Sequence, residues 1–362
     1  MGTASASTGL PGPRELPELR NPDEVAYDVI APHGASGCQA IVRKCARVVP
    51  GERVLVVSDH NTACLGERLA REAAIDAEVD HCVIEPFRMH GEEPPPDIAE
   101  RMSRAHVIFG ITKMSMAHSQ ARLRATKAGA RYLSLPDYSP AVMASRALRT
   151  DFDSLIGEAN LLADLFTRAE LAWVTSPSGT HIRCQLRGRR GNSAPGVCVG
   201  PGSLASPPDA ESNIAPWESG SDGIIVVDGS IPCRELGLLR SPITLIVKAG
   251  RVVDVEGLQA DIVTELFDRA GRIETRIVAE LGVGLNPLAT LCGSMLEDEG
   301  CRGSCHFGIG SNCTIGGENT VPFHLDFVFR QASVTLDDVS IMEQGEFTPQ
   351  FKSLLTSPEY LP

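Results

Sequence analysis

Arg53-Val54-Leu55-Val56-Val57-Ser58, ending at Asp59, is the stretch on which the fold of this chain turns. It is a short apolar run rich in β-branched valine, so it reads as a buried strand. Residues 61–73 then read as a helix, and residues 105–111 (Ala-His-Val-Ile-Phe-Gly-Ile) repeat the strand pattern. Residues 119–128 supply another helix before Gly129, and residues 131–135 a third strand closed by Pro136. This strand–helix alternation predicts a parallel sheet covered by helices over residues 22–170. A long amphipathic helix at 153–170 links it to the second half of the chain. No Gly-x-Gly-x-x-Gly or Walker sequence follows any of these strands, so a nucleotide is not indicated.

From Trp173 the texture changes to short strands and Gly-rich turns. Residues 179–187, 223–228, and the pair 243–248 and 251–255 across Ala249-Gly250 read as β structure. One helix is expected near residues 260–270. The Pro- and Ser-rich segment 195–208 reads as a loop able to lie over a site. The fold class expected is therefore α/β: an N-terminal parallel-sheet α/β domain, then a β-rich α+β domain over residues 171–362 that binds metal. Residues 1–21, rich in Ser, Gly and Pro without an apolar stretch, read as a disordered leader.

A chain of 362 residues suits two domains. Its net charge of −13 argues against nucleic acid or an anionic membrane as partner. No apolar run approaches the ~18 residues that span a bilayer. The 11 cysteines form no Cys-x-x-Cys pair, which fits a reducing, cytoplasmic setting.

The chemistry concentrates near the C-terminus. On a strand of period two, His324 and Asp326 point one way while Phe323, Leu325, Phe327 and Phe329 point the other. An imidazole and a carboxylate so placed can share one metal ion. His306 lies upstream in a Gly-rich stretch, Cys305-His306-Phe307-Gly308-Ile309-Gly310. Glu218, Glu280 and, from the run Glu297-Asp298-Glu299, Glu299 are the candidate carboxylates; a solvated loop position is the plainer reading of each. Cys301 and Cys305 flank the site and could bind zinc, or be small buried residues. His118 ends a predicted strand, where α/β sheets present functional loops, or it simply caps a helix or lies exposed. Arg183 or Arg187 could bind an acidic substrate group, or simply line a surface strand.

These motifs resemble those of the clan that joins the M29 metallo-aminopeptidases to the 2,5-dihydroxypyridine 5,6-dioxygenases. The likeness rests on His118-Ser119, on Gly179-Thr180, and on Glu218 followed by a Gly and an apolar strand. It extends to the Gly-x-Asn-x-x-x-Gly-Gly run at Gly310–Gly317 and to Pro322-Phe323-His324-Leu325-Asp326. The dioxygenase branch implies one iron(II) held by two histidines, a serine and an aspartate. His324 and Asp326 match two of these, while Glu280 stands where the first histidine belongs and Gly308 where the serine belongs. The aminopeptidase branch implies two metals held by three glutamates, two histidines and an aspartate. Glu218, Glu280, His306 (in Ser304-Cys305-His306), His324 and Asp326 follow that set. Glu299 fits the third glutamate with two residues inserted before His306.

The resemblance thus implies a metalloenzyme with one or two divalent ions: zinc, cobalt, manganese or iron(II). The first expectation is hydrolysis of a C–N bond in a peptide or small amide, aminopeptidase-like. Glu218 or Glu299, if not a ligand, would act as general base. The alternative is an iron(II)-dependent oxygenase of a hydroxylated aromatic or heteroaromatic small molecule, with His306, His324 and Asp326 as its triad. A catalytically silent binding protein on the same scaffold is the third. His118 would contact substrate or shuttle a proton. The partners expected are a small molecule or short peptide and further copies of the chain, with no nucleic acid and no membrane.

Overall fold

The computed structural model describes residues 36–357, and the leader expected over residues 1–21 lies outside them. The first half builds a five-stranded sheet in the order Glu78–Ile84, Arg53–Asp59, Val107–Ile111, Arg131–Ser134, Leu204–Ala205. All of its pairings are parallel. Residues 54–59 of the opening strand are all buried, as a central parallel strand demands. The helix Ala63–Ala73 lays Leu65, Leu69, Ala70 and Ala73 on it at helical spacing. Ser119 caps the helix Gln120–Lys127, its hydroxyl accepting the Arg122 amide.

Two strands of this sheet escaped the sequence reading. Glu78–Ile84 alternates buried and exposed positions with charges among them, as an edge strand does. Leu204–Ala205 comes from the segment expected to be a free loop. That expectation is corrected: Tyr132 and Leu133 pair with Leu204 and Ala205, and Val197 and Cys198 are buried. Two residues of the segment thus add an edge strand to the first sheet, and the rest of it is loop.

The helix Phe152–Arg168 buries Leu155, Ala159, Leu162 and Phe166 and leads directly into the strand Leu171–Thr175. Beyond it lie two antiparallel sheets. One has eight strands, ordered Arg251–Glu256, Ile243–Lys248, Ser221–Val227, His181–Gln185, Leu171–Thr175, Ser333–Leu336, Val339–Glu343, Glu346–Phe347. The other has seven, ordered Gly237–Leu238, Ser230–Ile231, His324–Arg330, Ser304–Gly310, Val278–Gly284, Glu211–Ile214, Gly191–Ala194. The helix Ala260–Ala270 falls where expected. The fold is thus α/β, a parallel α/β layer followed by β-rich antiparallel sheets. One buried apolar cluster runs from Val56 and Phe109 through Phe166 to Phe307, Phe327 and Phe329, so the halves share a core.

Asn286 pins them together. Its side chain donates to the Ala147 (3.1 Å) and Pro208 (2.8 Å) carbonyls and accepts from the Thr150 hydroxyl. Among the described residues, no helix is long and apolar enough to cross a membrane.

Candidate metal centre

Four neighbouring strands of the seven-stranded sheet set the site. Antiparallel register pairs Glu211 with Gly284, Gly282 with both Asn213 and His306, Gly308 with both Glu280 and Asp326, and Gly310 with His324. Directly paired residues share a face. Glu211, Glu280, His306, His324 and Asp326 therefore rise from one side, while Leu281, Phe307, Leu325 and Phe327 enter the core on the other.

Glycine makes the room. A Cβ on Gly282 would lie 2.1 Å from His306 Nε2, and one on Gly308 would lie 2.6 Å from His324 Cε1 and 2.9 Å from Glu280 Cβ. The imidazoles occupy the space that side chains would have filled.

His306 Nε2 stands 3.2 Å from Glu211 Oε2 and 3.7 Å from Glu280 Oε1. His324 Nε2 stands 3.3 Å from Glu280 Oε2 and 3.2 Å from Asp326 Oδ1. Two groups able to hold a cation result, Glu211–Glu280–His306 and Glu280–His324–Asp326, with Glu280 common to both. The donors fit a divalent metal, mixing imidazole nitrogen with carboxylate oxygen. Glu211 Oε2, Asp209 Oδ1 and His306 Nδ1 are buried without a hydrogen-bond partner, an arrangement that costs free energy unless a cation or proton completes it.

Asp209 and Glu299 crowd the same pocket. In the run 297–299, Glu297 accepts the Thr290 amide (3.2 Å), and Asp298 accepts those of Cys292 (2.7 Å) and Gly293 (2.9 Å). Those two are committed to the backbone, and only Glu299 turns to the site, where it bonds Asp326. Gly300 lets the chain close against Asp209, whose Cα would be 2.9 Å from a Cβ there.

Packing so many carboxylates out of water separates their ionisation. Burial, then Glu211 and Glu280, pushes Asp209 well up, and burial with the Asp326 charge does the same to Glu299. Burial lifts Glu211 to about 7 against the pull of His306. Burial also opposes charge on Glu280 and Asp326, yet the imidazoles outweigh it and hold both below the usual carboxylate range. Desolvation would lower His306, but Glu211, Glu280 and Asp326 raise it to about 9. His324, with a side chain 35% exposed, is raised against the same burial cost by Asp326 and Glu280.

Of the residues expected from sequence, the structure brings together Glu280, His306, His324 and Asp326, with Glu299 alongside. It does not bring Glu218 into the group. That carboxylate is engaged by Arg189, by Asn312 Nδ2 (3.0 Å) and by the Glu318 amide (2.8 Å). Burial resists its ionisation, and the Glu318 amide with its other partners lowers its pKa nonetheless. His118 is exposed, close enough to His324 for their charges to interact; its pKa is lowered by the surrounding protein first, then by Arg122, His324 and His90.

Cys305 cannot join, because alternation turns it into the core opposite His306, and Cys301 donates to the Ala289 carbonyl at 3.4 Å. Arg183 and Arg187 sit in exposed pairs with Asp222 and Glu170. Sequence reasoning missed Glu211 and Asp209. The alternation Asp209-Ala210-Glu211-Ser212-Asn213 was the available signal, hidden behind Pro207-Pro208, which reads as loop.

Comparison with known proteins agrees with this architecture. A family model described as "NicX: 2,5-dihydroxypyridine 5,6-dioxygenase" matches residues 36–349. A 2,5-dihydroxypyridine 5,6-dioxygenase of Pseudomonas putida is 26% identical over 249 residues, 65% of this chain and 69% of that one. The solved structure of the 2,5-dihydroxypyridine dioxygenase from Pseudomonas putida KT2440 superposes with a TM-score of 0.75 at 22% identity, over 87% of this chain and 97% of that one. Wild-type AmpT from Thermus thermophilus superposes at 0.58 with 16% identity, over 88% of this chain and 100% of that one. At such identities the superpositions speak for the fold.

Proposed function

The chain belongs to the 2,5-dihydroxypyridine 5,6-dioxygenase family, and from the side chains it carries on that scaffold we propose a different reaction, the metal-dependent hydrolysis of a C–N bond in a peptide or small amide. The observation that carries this reading is Glu280, a carboxylate common to two overlapping triads. A lone iron(II) has no use for Asp209, Glu211 and Glu299 packed behind its ligands. Two dications offset such a surplus of negative charge in a desolvated pocket. Gly308, where the resemblance implies a serine ligand, supports the same reading.

In this proposal Glu211, Glu280 and His306 hold one ion, and Glu280, His324 and Asp326 the other. Bound there, divalent metal supplies Lewis-acid polarisation of the scissile carbonyl and acidifies water. The remaining work falls to the chain. Glu299, held protonatable by burial and by Asp326, takes the proton lost by the attacking water and returns it to the departing nitrogen. His324, the half-open member of the set, marks the side from which substrate enters. His118 orients that substrate from the parallel domain.

A second reading is favoured by the family itself: His306, His324 and Asp326 supply the residue types of the two-histidine, one-carboxylate set of iron(II) oxygenases, with His306 grouped here with Glu211 and Glu280. One experiment separates them. Metal-loaded protein is assayed in air and under strict anaerobiosis against a panel of amides and short peptides and a panel of hydroxylated pyridines. Cleavage of an amide at equal rates in both atmospheres supports the hydrolase. Turnover of a hydroxypyridine that stops without oxygen, with every amide intact, overturns it.

A further inference from the structure

Glu218 joins neither triad, yet its contacts converge on one loop. Its Oε1 accepts from Asn312 Nδ2 (3.0 Å) and the Glu318 amide (2.8 Å). Its Oε2 pairs with Arg189, a buried guanidinium lying 4.5 Å over the Trp217 ring. Arg189 also donates to the Gly316 carbonyl at 2.8 Å. Asn312, Gly316 and Glu318 belong to the loop that joins the strands Ser304–Gly310 and His324–Arg330.

That loop reaches both triads. The Ser311 carbonyl lies 2.8 Å from His324 Nδ1, so that nitrogen donates and Nε2 is left to face Glu280 and Asp326. The Ile315 carbonyl accepts from Asn192 Nδ2 at 3.0 Å. The same amide donates to Asn213 Oδ1 (2.9 Å), and Asn213 Nδ2 donates to Glu211 Oε1 (2.8 Å). Within the loop, Asn312 is fully buried and accepts the Asn319 amide at 2.8 Å. A Cβ on Gly317 would fall 2.0 Å from Asn312 Cγ, which explains why a glycine stands there. Partners of this outer kind orient ligands and tune their affinity.

We infer that Glu218 is a positioning residue: through Arg189 and Asn312 it sets the 311–319 loop, and the loop holds His324 at one end of the cluster and Glu211 at the other. The effect on metal rests on the proposal that the cluster binds it; the effect on His324 does not. Glu218→Gln keeps the size of the side chain, removes the charge that Arg189 faces, and turns a donor toward a donor.

The test uses full-length protein stripped with chelator and selectively labelled with 15N-histidine. The wild type is expected to show a hydrogen-bonded His324 Nδ1–H, and Glu218→Gln to lose it while remaining folded. Co2+ titrated against a competing chelator is expected to bind Glu218→Gln roughly 10–100-fold more weakly, with altered visible absorption. Glu170→Gln, which removes an exposed ion pair with Arg187, serves as control and is expected to change neither. Should Glu218→Gln not fold, Arg189→Lys, which keeps the charge but loses the reach to Gly316, carries the same expectation. An unchanged His324 signal in the folded variant overturns the inference. Wild-type protein that binds no Co2+ defeats the metal reading instead, and the metal-free His324 signal still decides the role of Glu218.

Discussion

Gly308 and His324 compete for one volume: a Cβ on the glycine would lie 2.6 Å from His324 Cε1 and 2.8 Å from Nε2. Restoring at this position the serine implied by the resemblance therefore displaces the imidazole instead of adding a ligand. Gly308→Ser is expected to weaken Co2+ binding at least tenfold, on the scale of disturbed ligand orientation. Overpacking against Glu280 should also cost about 1–3 kcal/mol of stability. Chelator competition and urea unfolding measure the two. Unaltered affinity would mean that His324 is free to move aside without leaving the metal.

Glu280 and Glu211 differ in how many triads each serves. Elemental analysis of dialysed protein is expected to find two ions per wild-type chain, as the proposed dinuclear centre requires. Glu211→Gln should retain one, because Glu280, His324 and Asp326 are untouched. Glu280→Gln should fall below one, since both groups lose a member. Equal losses in the two variants would count against a shared carboxylate.

The metal-free protein should become less stable as pH rises, while metal binding strengthens. Five groups of the cluster have raised pKa values: Asp209, Glu299 and His324 are pushed well up, Glu211 moves from 4.5 to about 7, and His306 from 6.5 to about 9. A raised group lends its full stabilisation below its unfolded value and loses it as pH climbs through its folded value. The loss therefore begins in acid with the carboxylates, passes about 7 with Glu211, and continues through about 9 with His306. The lowered groups, Glu280 and Asp326, act oppositely, and their contribution fades only in acid. Metal competes with the same protons, so its affinity grows across that window. Thermal melts of stripped and metal-loaded protein between about pH 6 and 9 are expected to diverge steadily; parallel curves would place the titrating groups outside the metal's reach.

The sequence made strongly patterned elements legible and left others hidden. The run from Arg53 to Asp59 reads as a strand because burial on both faces leaves it continuously apolar. His324 and Asp326 are legible because alternation sets them against Leu325 and Phe327. Glu78–Ile84 was not, since an edge strand tolerates Asp80 and His81 and so loses its apolar signature. Glu211 was hidden because its strand is short, Glu211–Ile214, and polar at its first three positions. The strand is buried by partners distant in sequence: the neighbouring strand Val278–Gly284 on one side, and the helix Phe152–Arg168, whose Ala159 carbonyl accepts the Ser212 hydroxyl, on one face. Glu218 was read for its chemical type, and only the fold reveals Arg189 and Asn312 already holding its carboxylate. Composition marks which residues can do chemistry; three-dimensional register decides which of them meet.

Asn286 shows how such register reaches across the molecule. Fully buried, it joins Ala147 and Thr150, just before the linking helix, to Pro208, which leads into Asp209 and Glu211. Its own amide pairs with the Gly300 carbonyl at 2.8 Å, next to Glu299. Asn286→Ala leaves the Ala147 and Pro208 carbonyls and the Thr150 hydroxyl without their partner, at about 1–3 kcal/mol for each that water cannot reach. Urea unfolding should register a loss of roughly 3 kcal/mol on that basis. Because the freed segment carries Glu211, metal affinity should fall in Asn286→Ala even though Asn286 touches no ligand. Asn286→Asp, which keeps the acceptor for Thr150 and loses both donated bonds, should resemble the alanine variant more than the wild type. A variant that lost stability yet bound metal as tightly as wild type would show that Pro208 is held without Asn286, and that the link between the halves and the metal centre runs elsewhere.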